Sequence, residues 1–243
     1  MKNITTKILT IGITAVLFTG CLTACKITDN SKINANVKIN GEEVINTEIG
    51  PGATGSWEVP DSNVMTDELK KYFDEAISKI DGYFHTPVAL LATQVVAGTN
   101  YCFLCTSTIQ ANNAAKEMRI TYINVDPSGS ASFIKDETLL LPGVNEGGDK
   151  VGGWAYAESA EITDAIKKVM EKATETLTGA TYEPVAYVGS QVVAGTNHAI
   201  LCKCVPSVPS ADNSANYVLV YVYEDLQGNC QITETTDVKI SID

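Results

Sequence analysis

The sequence predicts an α+β fold built twice, in which each copy sets one long helix on a four- to five-stranded antiparallel sheet. Three observations predict it: a duplication at a fixed spacing, one apolar stripe of helical period in each copy, and short alternating segments closed by turn residues. The composition agrees. Of 243 residues, 44% are hydrophobic and 19% charged, which suits folded domains and excludes collagen, coiled coil and wholesale disorder. The formal charge of −12 makes a nucleic-acid phosphate backbone an unsuitable partner.

Residues 1–25 read as an export signal. Lys2 and Lys7 give a positive start, and the apolar run over 8–20 is 13 residues long, short of the ~20 needed for a membrane-spanning helix. The run ends in Leu22-Thr23-Ala24-Cys25, which resembles a bacterial lipobox with Cys25 as the lipidated residue; Cys21 is the alternative, and a plain secretory signal cleaved near Ala24 is the other reading. The expected location is therefore the outer face of a bacterial membrane, held by lipid, since each buried CH₂ contributes ~0.8 kcal/mol. Loss of residues 1–24 leaves a formal charge of −14, which anionic headgroups repel, so the tether and not charge must hold the chain there. Residues 26–50 read as a flexible tether, although 37–45 also suits a weak hairpin around Asn40-Gly41.

The duplication organises what remains. Residues 87–105 and 184–202 are identical at 12 of 19 positions at a spacing of 97. Its centre, Gln94-Val95-Val96-Ala97-Gly98-Thr99-Asn100, returns letter for letter as Gln191-Val192-Val193-Ala194-Gly195-Thr196-Asn197. The same offset carries Gly55-Ser56-Trp57 onto Gly152-Gly153-Trp154. Two copies of this length define two domains, 51–145 and 146–243, and not a solenoid.

A helix opens each copy. Leu69, Tyr72, Phe73, Ala76, Ile77 and Ile80 fall on one stripe, with Thr66 as N-cap, Asp67 and Glu68 at the positive end of the dipole, and Gly82 as the stop. Ile166, Val169, Met170, Ala173 and Leu177 repeat the stripe between Thr163 and Gly179. The strands follow. Residues 87–96 and 101–106 read as an antiparallel pair joined at Ala97-Gly98, and 119–125 alternates into the turn Asp126-Pro127-Ser128-Gly129. In the second copy 217–223 alternates into Asp225-Leu226-Gln227-Gly228, and short final strands are expected at 132–135 and 231–233.

A glycine, a long helix and then Gln-Val-Val-Ala-Gly between two strands resembles the cystatin family, the stefin branch in particular. Gly55 precedes Gln94 by 39 residues and Gly152 precedes Gln191 by 39. The resemblance covers residues ~51–243 at fold level, while its specific motif occupies a few residues per copy. It implies reversible inhibition of papain-like cysteine peptidases by a wedge of three segments. In the first copy these are Gly55; Gln94, Val95, Val96, Ala97 and Gly98; and the turn holding Pro127. In the second they are Gly152 or Gly153; Gln191, Val192, Val193, Ala194 and Gly195; and the turn holding Leu226. The Pro-Trp pair that many cystatins carry in the second loop is absent, as it is in stefins. Trp57 and Trp154 follow the glycines instead, either anchoring the edge strand in the core or extending the wedge.

The chemistry of these residues suits that role independently. A plug for a deep, mostly apolar cleft needs a narrow, rigid protrusion of small side chains with little entropy left to lose. A hairpin whose valines merely pack locally is the bland alternative. The implied partners are a papain-like peptidase and, through lipid, a membrane; neither nucleic acid nor any cofactor is expected. No metal is expected either: Cys102 and Cys105 lie on opposite faces of a strand, and Cys202 and Cys204 lack further ligands with only two histidines available. His85 and His198 occupy non-equivalent positions, and no catalytic motif is present, so the chain does not read as an enzyme. The second functional reading is a non-inhibitory lipoprotein that binds a protein or a small ligand.

Overall fold

A computed structural model describes residues 33–39, 42–49, 55–109, 116–144, 152–207 and 216–242. The leader, with Cys21 and Cys25, lies outside them. Two compact units divide the chain, 1–51 and 52–243. In the first, β1 (Ile33–Ile39) pairs antiparallel with β2 (Glu42–Ile49), Val37 opposite Val44; Asn40 and Gly41 lie outside the described residues.

The second unit holds both copies. The first runs β3 (Trp57–Glu58), α1 (Asp67–Ile77), β4 (Tyr83–Val96), β5 (Gly98–Ile109), β6 (Lys116–Val125) and β7 (Ala131–Thr138). The second runs β8 (Trp154–Tyr156), α2 (Asp164–Thr174), β9 (Ala180–Val193), β10 (Gly195–Pro206), β11 (Asn216–Glu224) and β12 (Cys230–Val238). Each copy forms one antiparallel sheet of five strands in chain order.

The expected fold class needs correction here. The chain is mostly β, and neither sheet carries a long helix: α1 and α2 have 11 residues each. Their starts are as read, with Thr66 and Thr163 accepting from the amides of Leu69 and Ile166. Their ends come early because the backbone tightens to three-residue bonds, Ile80 N to Ile77 O in the first copy and Glu175 N to Lys172 O in the second. Ser78 Oγ donates to Glu75 O and Thr174 Oγ1 to Met170 O. Ile80 and Leu177 thus fall beyond the helices, and Leu177 is exposed.

The sheets also pack against each other. Each has two covered faces. One lies under its own short helix, where Phe73 and Ala76 meet Leu90, Phe103 and Ile123, and where Val169 and Met170 meet Ile200, Val218 and Val220. The other faces contribute to one shared core that contains Leu91, Leu104, Tyr122, Val188, Leu201 and Tyr221. That core holds 17 buried residues, more than either cluster under a helix, which have nine and seven.

The packing has a direction. We call the end of each sheet with the Ala-Gly hairpin its tip, and the other end its root. Tyr122, near the tip of the first sheet, accepts through its hydroxyl from the Ser241 amide, three residues past the root end of β12. Reciprocally, Tyr156 on the tip half of the second sheet donates to Leu139 O, one residue past the root end of β7. Gly189, four residues from the tip of β9, lies against Leu141; a Cβ there would sit 2.6 Å from Leu141 Cδ1 and 2.4 Å from Ala155 O. Each tip half therefore packs on the other sheet's root.

Candidate functional site

Each tip gathers the three expected segments into one exposed edge. In the first copy the Gly55 amide donates to Val95 O at 2.9 Å, and Gln94 Nε2 donates to Gly55 O at 2.8 Å. The glycine segment is thereby stapled to the first hairpin. Gly98 closes that hairpin with φ +102°, and a Cβ on it would fall 2.2 Å from Val125 O and 2.9 Å from Asp126 Cα. The glycine is thus required twice, for its backbone angle and because the second hairpin abuts it. Gly195 repeats this with φ +118° and a Cβ position 2.3 Å from Glu224 O.

The second hairpin is fixed by a carboxylate. Asp126 Oδ1 accepts from the amides of Ser128 and Ser130 at 2.8 and 3.0 Å, and Asp225 Oδ1 from those of Gln227 and Asn229, both at 2.8 Å. The Ser128 hydroxyl and the Asn229 side chain and amide are the main reasons the two carboxyls lie below the ordinary aspartate range.

Small and apolar groups make up what the edges present. Val95, Val96, Ala97 and Pro127 are exposed at the first, and Val192, Val193 and Ala194 at the second. Val192 is 71% exposed and Leu226 77%. Of the two candidate glycines in the second copy, Gly152 takes the place of Gly55: it adopts φ +82° and accepts from Gln191 Nε2 at 2.7 Å. Gly153 is exposed beside it.

The sequence reading missed the tie that sets these segments in register. Asn124 Nδ2 donates to Asn100 Oδ1 at 2.8 Å, Asn100 Nδ2 to Gln94 Oε1 at 2.7 Å, and Gln94 passes the chain to Gly55. This amide ladder crosses β6, β5 and β4 to the glycine segment. Asn100 is buried within it. The second copy keeps Asn197 to Gln191 at 2.7 Å but has Tyr223 opposite Asn197, and the Tyr223 hydroxyl donates to Ala194 O at 2.5 Å. The available signal was the identity of Asn100 and Asn197, each six residues after its glutamine.

Other side chains do not join the edges. Trp57 and Trp154 pack on the shared core, edge-on to Tyr122 and Tyr221 with ring centroids 5.7 and 5.3 Å apart, so they anchor the edge strands. Cys102, Cys105, Cys202, Cys204 and Cys230 are free thiols; burial pushes Cys105 and Cys202 up to about 12, away from reactive thiolate chemistry. Cys102 and Cys105 do face opposite sides of the sheet. His198 is buried behind the second edge between the Tyr187 hydroxyl at 3.0 Å and Glu224 at 3.1 Å, while His85 pairs with Ser107 at 2.7 Å near the root. Among the described residues, no group of three or more His, Cys, Asp or Glu is placed to hold a metal ion, and no helix is long and apolar enough to cross a membrane. A shallow groove of about 520 Å³ between the copies, lined by Val88, Thr106, Glu158, Ile162 and Pro184, contains no residue of either edge.

The chain matches no protein-family model and no curated protein.

Proposed function

We propose that the chain is a reversible, non-covalent inhibitor of papain-like cysteine peptidases, tethered through lipid on Cys25 to the outer face of a bacterial membrane. The motif resemblance to cystatins suggests the target class, and one observation carries the reading. Three segments far apart in sequence meet in a narrow, small-residue edge, and they do so twice, with the glutamine-to-glycine hydrogen bond kept in both copies. A cleft built to receive an extended peptide accepts such an edge. Docking it displaces water from valine and proline surface while freezing few rotamers, since Ala and Gly carry none and Val one. The edge places no titratable side chain at the first hairpin tip, and both flanks of each first hairpin are paired within the sheet, which suits occlusion of the cleft.

The test is inhibition by the full chain of a papain-type peptidase acting on a fluorogenic peptide. Competitive inhibition is expected, relieved by excess substrate. Undiminished turnover at tens of micromolar chain would sink the reading and leave the non-inhibitory binding protein as its replacement.

A further inference from the structure

We propose that the protein is bivalent: it holds two papain-like peptidase molecules at once, one on each edge, at opposite ends of the sandwich. The inference rests on the inhibitor reading above and goes beyond it, because two motifs in one chain do not by themselves provide two usable sites.

Orientation decides the matter. Had the sheets stacked tip beside tip, two globular partners would compete for one space, and only one edge would serve at a time. The reciprocal contacts exclude that stacking. Tyr122 near one tip meets Ser241 beyond the opposite root, and Tyr156 in the other tip half meets Leu139 beyond the first root. Contacts that run from tip to root in both directions are what an antiparallel stacking of the two sheets gives. The edges therefore point apart. Strands of 12 to 14 residues separate each tip from its root, and at ~3.3 Å per residue that distance is on the order of 40 Å.

Independence is the second requirement. Each edge is complete within its own copy: Gly55, Gln94 and the Asp126 turn at one end, Gly152, Gln191 and the Asp225 turn at the other, with no residue borrowed across the sandwich among the described residues. Exposed Val95 and Val192 show that neither tip is covered by the opposite sheet. On this arrangement the chain bridges two peptidases, and against peptidases fixed together on a surface the second contact forms at raised effective concentration.

Native mass spectrometry of the full chain with excess papain, its active-site thiol capped by a small methylthio group to prevent cleavage, tests the proposal. A complex of one chain with two peptidases is expected. Val95→Asp and Val192→Asp, both at solvent-exposed positions, should each reduce it to one peptidase per chain, and the double variant to none. A ceiling of one peptidase for the unaltered chain overturns bivalency while the inhibitor reading stands. No complex at all overturns both, and a two-peptidase complex that survives the double variant overturns the assignment of the edges as the contact.

Discussion

Asn100 occupies the middle of the ladder that locks the first edge, accepting from Asn124 and donating to Gln94 while almost fully buried. Replacing it with Ala strands the Asn124 amide and frees Gln94 from the orientation that reaches Gly55. A buried polar group left without its partner costs about 1–3 kcal/mol. Asn197 is only half-buried and makes the single bond to Gln191, with Tyr223 holding the hairpin separately through Ala194 O. We therefore expect Asn100→Ala to lower unfolding free energy in urea by more than Asn197→Ala does. Equal losses would show that the three-amide relay adds nothing beyond one hydrogen bond. The ladder illustrates what one sequence conceals: the glutamine and glycine are legible from the hairpin they flank, whereas the partner of Asn100 lies 24 residues away, at a position where the second copy has Tyr223.

At the scale of the element, the hairpins were the most legible parts, since Ala-Gly and Asp-Pro-Ser-Gly close their turns by local chemistry. The helix starts were equally local. Their lengths differ from the reading because the apolar period continues through Ile80 and Leu177, while the backbone there has already tightened to three-residue bonds. The strands were read short for a related reason. With one face toward a helix and one toward the second sheet, a strand such as Tyr83–Val96 needs no alternation, and its polar ends looked like loop. The abutment of the two hairpins gives a prediction at this scale. Gly98 and Gly129 both adopt positive φ, +102° and +87°, but a Cβ on Gly129 meets nothing within 4 Å while one on Gly98 strikes Val125 O at 2.2 Å. Backbone strain of about 1–2 kcal/mol is common to both Ala variants, and overlap is added only at Gly98. Gly98→Ala should be the more destabilising in urea and should weaken peptidase inhibition further, because the hairpins must part. Matching effects at the two glycines would show that contact between the hairpins does not hold the edge.

For the whole molecule, the shared core decides how the copies behave. The duplication suggested two units, and nothing in residue spacing alone distinguishes a sheet face left to solvent from one laid against its duplicate. Seven large side chains of the first copy, Leu91, Leu104, Met118, Ile120, Tyr122, Leu139 and Leu141, belong to that core. At about 1.5 kcal/mol or more for each such side chain returned to water, separating the sheets costs on the order of 10 kcal/mol, comparable with the whole stability of an ordinary domain. Neither copy should then unfold while the other stays native. Trp57 and Trp154 report on this, one on each sheet and both packed on the shared core against a tyrosine. In Trp57→Phe the fluorescence follows the second copy, and in Trp154→Phe the first. Each variant should show a Trp transition coincident with its own far-ultraviolet circular dichroism transition in urea, because the circular dichroism reports both sheets while the Trp reports one. A Trp midpoint displaced from the circular dichroism midpoint in either variant would mean that the two sheets unfold separately, and the core they share would then be too weak to hold the edges in fixed opposition.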